Sequence, residues 1–124
     1  MTQTTVFEVV GGQPFFDALV ERFSARVETD PTLRPLYPPD LAPGIRALAL
    51  FLGQYFGGPP TYSEEKGHPR LRMRHAPFAI GPGERDLWLT HMRASLERAA
   101  PAGDVAAELW RYFEMAAEAM RNRD

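Results

Sequence analysis

The sequence predicts an all-α protein, and three observations lead to that fold class. Apolar residues recur at helical spacing in four segments, near residues 14–28, 41–56, 84–100 and 104–121. Proline and glycine clusters separate these segments, and we find no strand-like alternation of useful length. Because the chain has 124 residues and 44% of them are hydrophobic, we expect a single domain, residues 1–124, with one core.

The first long helix is expected to follow a glycine pair. Gly11 and Gly12 end a short apolar turn at residues 6–10, and Pro14 suits the first position of a helix. The apolar face of this helix is broad, which predicts that it is buried. Its members are Phe15, Phe16, Leu19, Val20, Phe23 and Val27. Ser24 interrupts the same face, as a small residue that lets another element approach.

Four prolines between residues 30 and 40 allow only short helical turns there. Tyr37 follows Leu36 inward, so its hydroxyl needs a partner or a polar cavity. The helix at 41–56 carries Gly44 on its apolar side, at a cost of up to about 1 kcal/mol of helix propensity. That cost indicates that space is needed at this point, for close packing or for an opening toward a cavity.

Residues 61–66 are expected to form a loop that leads into the segment 67–78. This segment places two of the three histidines and three arginines within twelve residues, between proline and glycine breakers. We interpret it as a candidate cofactor anchor, with a solvated cationic surface as the alternative. Trp88 then opens a helical row, and Asp104 can cap the last helix.

Composition and charge exclude several classes of protein. Fourteen basic and sixteen acidic residues give a net charge of −2, so we expect no nucleic-acid surface. The absence of cysteine excludes a disulfide scaffold and a thiolate ligand. Neither a signal-peptide pattern nor an apolar run of about 18 residues occurs. We therefore expect a cytoplasmic protein without a membrane span.

Most metal and hydrolase chemistries do not fit the sequence. His68 and His75 lie seven residues apart without the H-E-x-x-H pattern of a zinc site. The one Glu-x-x-His, formed by Glu65 and His68, has no matching partner for a di-iron centre. There is no G-x-S-x-G, and Glu64 and Glu65 are adjacent rather than facing each other. A single histidine ligand suits haem, whose porphyrin supplies four nitrogens, although spacing alone does not assign that role to His75.

A set of motifs in fixed order carries a family resemblance. The motifs are VGG at 10–12, LRPLYP at 33–38, YFGGP at 55–59, YSEEKGHPRLRMRHAPF at 62–78 and ERDLW at 84–88. Over nearly the whole chain, the sequence resembles the second group of truncated haemoglobins, also called the O-type. The resemblance implies a shortened globin, in which two helix pairs sandwich a haem b group in a two-over-two arrangement.

The resemblance also assigns roles to individual residues. His75 matches the proximal iron ligand, and Trp88 matches the distal tryptophan that marks this group. Tyr37 matches a distal aromatic residue whose hydroxyl faces the bound ligand, while Gly44 and Leu48 flank the sixth coordination position. The residues implied as walls of the haem pocket are Phe51, Leu71, Phe78 and Met92, and those implied to meet the propionates are Tyr62 and Arg74.

Two positions depart from the family pattern. Members of this group usually place a tyrosine after the phenylalanine that corresponds to Phe23, and this chain has Ser24 there. That tyrosine is the usual donor to bound dioxygen, so we expect a larger and rewired distal pocket. The position of Ala47 is often basic in relatives, and we expect that propionate contact to be lost unless Arg46 supplies it.

The resemblance implies reversible binding of dioxygen or another small diatomic ligand. A haem-dependent redox enzyme, peroxidase-like or nitric-oxide-converting, is the alternative, with a reductase as its candidate partner. A helical interaction module without a cofactor is a third hypothesis. We expect a monomer or a homodimer.

Overall fold

The computed structural model describes residues 4–124 and confirms the all-α prediction, since this part of the chain contains helices and no strand. The helices are α1 Val6–Val9, α2 Gln13–Glu28, α3 Ala42–Tyr55, α4 Thr61–Lys66, α5 Leu71–His75, α6 Pro82–Ala99 and α7 Gly103–Met120. A short 3-10 helix, Arg34–Leu36, follows α2. Within the described residues, no helix is long and apolar enough to cross a membrane.

The four long helices form two packed pairs. Helix α2 lies against α3, and α6 lies against α7, while α2 also packs on α6 and joins the two pairs. The apolar faces that the periodicity predicted meet in one core. Its fully buried large side chains are Phe16, Leu19, Val20, Val27, Leu52, Met92, Leu109 and Phe113. This is the two-over-two arrangement expected from the resemblance.

The end of α3 depends on close backbone packing. A Cβ atom at Gly58 would lie 2.5 Å from a ring carbon of Phe7 and 2.7 Å from the carbonyl oxygen of Gly53. The ring of Phe7 stacks on that of Phe16, which stacks in turn on Phe56. The glycine therefore lets α1 dock against the helix that leads to the candidate site.

The prediction of a loop at residues 61–66 was wrong, because this segment forms helix α4. The backbone amide of Ser63 donates to the side-chain oxygen of Gln54 at 2.9 Å, and the Gln54 amide donates back to the Ser63 hydroxyl at 2.7 Å. Tyr62 is 4% exposed. These contacts with α3 stabilise one and a half turns of helix that local sequence alone does not favour.

Candidate functional site

His75 is the last residue of α5, and its ring orientation is defined by one short hydrogen bond. Its Nδ1 atom lies 2.7 Å from the carbonyl oxygen of Leu71, four residues earlier. A carbonyl oxygen can only accept, so the hydrogen of the neutral ring is on Nδ1. The Nε2 atom consequently keeps its lone pair, which is the form of histidine that binds a metal.

Helix α5 has no buried residue of its own, and hydrogen bonds at both ends define its position. At the start, Arg70 adopts a left-handed conformation, and its amide donates to Nδ1 of the exposed His68 at 3.1 Å. At the end, the Asn122 amide donates to the carbonyl oxygens of His75 and Phe78, at 3.3 and 2.8 Å. The Asn122 oxygen accepts from the amide of Ile80 at 2.9 Å.

Asn122 is a residue that sequence reasoning missed. It follows α7 and lies 47 positions from His75, so no local pattern links the two. The backbone amides of Asn122 and Arg123 also donate to the Ile80 carbonyl oxygen, at 2.8 and 3.0 Å. The C-terminal segment therefore fixes the residues that follow His75.

Two residues that the resemblance assigned to the propionates lie together. The guanidinium of Arg74 donates to the hydroxyl of Tyr62 at 3.3 Å. The Tyr62 ring is buried and meets Phe51 edge to face, with the ring centroids 5.5 Å apart. Arg46, the alternative to a basic residue at position 47, pairs with Glu65 at 2.8 Å. The Arg74 guanidinium therefore lies beside the Tyr62 hydroxyl, and the Tyr62 ring contacts that of Phe51.

Tyr37 and Trp88, the two predicted distal donors, also come together. Burial raises the pKa of the Tyr37 hydroxyl, and the neighbouring Trp88 indole opposes that rise. The Trp88 ring lies 5.0 Å from Phe23 and 6.0 Å from Phe113, measured between centroids. The core therefore fixes the orientation of the indole.

The remaining predicted distal residues are small or aliphatic. Ser24 is half-buried on α2, as its place in the apolar face predicted. Gly44 is exposed, and a Cβ atom there would meet nothing within 4 Å, so close packing does not explain this glycine. Leu48 is half-buried, one turn further along α3, and packs against the core. Close packing instead occurs at Gly53, where a Cβ would collide with the Gln13 side chain.

The other predicted wall residues differ in burial. Met92 is 0% exposed and is part of the core, whereas Phe78 is 40% exposed. Leu71 and Phe51 are half-buried, on α5 and α3 respectively. The structure thus distributes the predicted wall over three helices and the segment after α5.

A polar network that was not predicted joins α6 to the end of α2, with Asp30 buried and Arg26 exposed. The Nε2–H of His91 donates to the carboxylate of Asp30 at 2.7 Å, and Nε–H of Arg26 donates to His91 Nδ1 at 3.2 Å. Asp30 also accepts from the amides of Thr32 and Leu33 at 2.8 and 3.1 Å. The hydrogen bond from His91, followed by that from Leu33, lowers the pKa of Asp30.

The residues of this network flank the two predicted distal residues, Tyr37 and Trp88, along the chain. His91 follows Trp88 by less than one helical turn, and Asp30 opens the segment that leads to Tyr37. The aspartate before a proline is a signal of a turn. Its partner 61 residues away can be found only from the fold.

The comparisons with known proteins agree with this geometry. Residues 5–122 match the family of bacterial-like globins. The group 2 truncated hemoglobin YjbI of Bacillus subtilis is 39% identical over 112 residues, which cover 90% of this chain and 85% of that protein. Both shares are large enough to establish kinship over the whole domain.

Solved structures give the same result. The hemoglobin of Chloroflexus aurantiacus is 55% identical, with a TM-score of 0.95 over 98% of this chain and 100% of that chain. The group II truncated hemoglobin of Bacillus anthracis is 35% identical, with a TM-score of 0.95 over 100% of this chain and 96% of that chain. The chain therefore belongs to the bacterial-like globin family, among the group II truncated haemoglobins.

Proposed function

We propose that this protein binds haem b through Nε2 of His75 and reversibly binds dioxygen, or another small diatomic ligand, on the other face of the iron. The family implies haem-based binding of small ligands. The observation that carries the proposal for this chain is the 2.7 Å hydrogen bond from His75 Nδ1 to the Leu71 carbonyl. It fixes the tautomer and leaves Nε2 as the donor to a metal.

The donor set of this chain fits haem. The group itself supplies four nitrogens and an iron that takes a fifth ligand from the protein and a sixth from solution. His75 supplies the fifth ligand, and the aromatic and aliphatic residues Phe51, Leu71 and Phe78 suit the faces of a flat apolar plate. Arg74 and Tyr62, hydrogen-bonded to each other, suit carboxylates at its rim.

Tyr37 and Trp88 determine how the diatomic ligand is held. Bound dioxygen carries partial negative charge, and both side chains can donate a hydrogen bond to it. The burial that raises the pKa of Tyr37 keeps its phenol protonated at neutral pH. Each neutral hydrogen bond contributes roughly 0.5–1.5 kcal/mol, or about two- to tenfold in affinity.

Ser24 removes a donor that the family usually has, since its hydroxyl is too short to reach as far as a tyrosine hydroxyl. We expect dioxygen to dissociate more slowly from a Ser24→Tyr variant than from the unsubstituted protein. Stopped-flow measurement of dioxygen release compares the two, and equal rates would contradict this role of residue 24.

Absorption spectroscopy of the haem-reconstituted protein tests the proposal. We expect a Soret band that is lost or strongly shifted in His75→Ala and restored toward the original by added imidazole. His68→Ala is the matched control, because His68 is exposed and bonds only to a backbone amide of its own segment. An unchanged spectrum in His75→Ala, or loss of the band in His68→Ala alone, would overturn the assignment.

A haem-dependent redox enzyme is the second candidate function. The short bond from His75 Nδ1 to Leu71 increases the basicity of the ligand nitrogen, which favours reduction of peroxide or conversion of nitric oxide. Turnover of either substrate with a reductant, and a reductase as partner, would support it. Ligand binding without turnover would support simple carriage.

A further inference from the structure

The segment that carries Tyr37, residues 30–39, contains four prolines and one short 3-10 helix. We name this segment the Tyr37 loop. Proline has no backbone N–H, so the loop offers few amide donors to its own carbonyl groups. Two side chains of the loop supply hydrogen bonds instead, Asp30 in its first half and Arg34 in its second.

The carboxylate of Asp30 orders the first half of the Tyr37 loop. Its Oδ1 atom accepts from the backbone amides of Thr32 and Leu33, at 2.8 and 3.1 Å. Its Oδ2 atom accepts from Nε2 of His91 on α6, at 2.7 Å, and the two side chains are 8% and 13% exposed. This buried carboxylate therefore joins the loop to the helix that carries Trp88.

His91 is held in the tautomer that this bond requires. The Nε–H of Arg26 donates to Nδ1 of His91 at 3.2 Å, so the hydrogen of the neutral ring is on Nε2. His91 follows Trp88 on α6 by less than one helical turn. The bond to Asp30 therefore attaches the Tyr37 loop to α6 close to the indole.

The guanidinium of Arg34 orders the second half of the loop. It donates to the carbonyl oxygens of Tyr37, Pro38 and Pro39, at 3.4, 2.9 and 2.8 Å. The backbone amide of Tyr37 donates in turn to the Arg34 carbonyl oxygen at 3.1 Å. Both backbone polar groups of Tyr37 are thus bonded to one residue, which fixes the direction in which its side chain leaves the loop.

Tyr37 and Trp88 are half-buried and pack against the same core. The proposed function requires both side chains to reach one small ligand. A hydrogen bond weakens steeply as its length and angle depart from the optimum. A small displacement of the Tyr37 loop along α6 would therefore cost the ligand one of its two donors.

We propose that Asp30, His91 and Arg34 are positioning residues for the distal donors, which hold the Tyr37 hydroxyl beside Trp88 so that both donate to one ligand. This inference rests on the proposed binding of haem and of a diatomic ligand. Bound dioxygen carries partial negative charge and gains from correctly placed donors. Bound carbon monoxide carries much less charge, so it reports the pocket without depending strongly on these donors.

The first test compares the release of the two gases from the haem-loaded protein by stopped flow. His91→Phe keeps a ring but removes the donor to Asp30, and dioxygen should dissociate about two- to tenfold faster. Release of carbon monoxide should be nearly unchanged. His91→Gln keeps an N–H donor at the end of its side chain and should restore most of the original dioxygen rate.

Arg34→Met is a second variant, which decides the question if His91→Phe fails to fold. It keeps the apolar stem of residue 34 and removes the donors to the carbonyl groups of the loop, so it should also accelerate dioxygen release. Arg93→Met is the matched control, because Arg93 lies on α6 but is exposed and pairs with Glu97. That variant should release dioxygen like the unsubstituted protein.

A double-mutant cycle separates positioning from a general loosening of the core. Because the network is proposed to act through the Tyr37 hydroxyl, His91→Phe should have little further effect on dioxygen release in a Tyr37→Phe background. A network that only stabilises the fold would change the release of both gases alike, in either background. That result, or a Tyr37→Phe variant with an unaltered dioxygen rate, would overturn the proposal.

Nuclear magnetic resonance of the diamagnetic carbon monoxide form gives a readout that does not depend on ligand release. Nuclear Overhauser cross-peaks between the Tyr37 ring and the Trp88 indole should weaken in His91→Phe and in Arg34→Met, and persist in Arg93→Met. Cross-peaks unchanged in the first two variants would contradict the positioning role. The Soret band separates the two proposals: a chain that takes up no haem contradicts both, whereas normal uptake with unaltered dioxygen release in these variants contradicts only this one.

Discussion

The two sides of the candidate haem site are built in different ways. On the distal side, Trp88 belongs to an 18-residue helix and packs on the core rings of Phe23 and Phe113. On the proximal side, His75 ends a five-residue helix without any buried residue. The core therefore fixes the position of Trp88, whereas a few hydrogen bonds fix the position of His75. Mutations on the distal side should mainly lower the free energy of unfolding, and mutations on the proximal side should mainly affect ligation by His75.

The largest expected effect comes from replacing one phenylalanine by alanine on each side of the candidate site. Phe23→Ala should lower the free energy of unfolding by about 3–5 kcal/mol, because a buried ring is lost and a cavity remains. Phe78→Ala, at a position that is 40% exposed, should cost far less. Chemical denaturation of both variants in the same ligand state measures the difference, and equal losses would contradict the contrast between the two sides.

Acid should weaken the distal side through Asp30. The folded state holds the pKa of this carboxyl below its ordinary value of 3.8. Its stabilisation is thus complete above that value, and is lost as the pH falls through the lowered pKa. Asp30→Asn should be less stable at neutral pH and should flatten the fall in unfolding free energy between about pH 4 and pH 2.

Urea denaturation across that pH range measures the effect. Asp104→Asn is the control, at an exposed carboxylate on the first turn of α7, and should keep the acid profile of the unsubstituted chain. An Asp30→Asn profile parallel to that of the unsubstituted chain would show that the network with His91 carries no proton linkage.

The segment that follows His75 should open locally when the side chain of Asn122 is removed. In Asn122→Ala the amide of Ile80 loses its acceptor, and the carbonyls of His75 and Phe78 lose a donor. We expect hydrogen exchange of the Ile80 amide to accelerate about tenfold, which corresponds to roughly 1.4 kcal/mol. Amides in the middle of α2 should exchange as before.

Arg123→Ala is the matched control for the anchor, since residue 123 contacts Ile80 through its backbone amide. We expect Ile80 exchange in that variant to stay near that of the unsubstituted chain. Faster exchange throughout α2 in Asn122→Ala would mean that the proximal segment belongs to the global core, against the contrast drawn above.

The smallest effect concerns ligand dissociation on the distal side. Trp88→Phe keeps an aromatic ring beside Phe23 and removes the indole N–H, so dioxygen should dissociate about two- to tenfold faster. Stopped-flow release measures the rate, and Trp110→Phe, the other tryptophan of the chain, should leave it unchanged. An unaltered rate in Trp88→Phe would remove the indole from the donor role.

Local sequence information was sufficient for the long helices. The apolar spacing in α2 and α7 reports the buried face directly, because a helix repeats every 3.6 residues whatever it packs against. Helix α4 was not predicted, because it depends on contacts with other parts of the chain. Its stability comes from Gln54 and from the burial of Tyr62, and neither contact leaves a periodic signal.

The individual site residues stay predictions, although the structure brings several of them together. The pairing of Tyr62 with Arg74 and of Tyr37 with Trp88 joins positions that the family resemblance had assigned to one rim and one distal face. The contact between the rings of Tyr55 on α3 and Tyr112 on α7 could not be anticipated. It depends on how these helices pack, and aromatic residues at core spacing look alike in sequence.

The sequence by itself determined an all-helical chain and the motifs of a family resemblance, with Ser24 at a position where that resemblance implies a tyrosine. Only the tertiary structure decided that Asn122 anchors the segment after His75, that His91 bonds to Asp30 and that Tyr55 meets Tyr112. The physical reason is the distance along the chain over which each interaction acts. Helix period and an i to i+4 hydrogen bond act within a few residues, whereas contacts between distant residues exist only once the core has set the helices against one another.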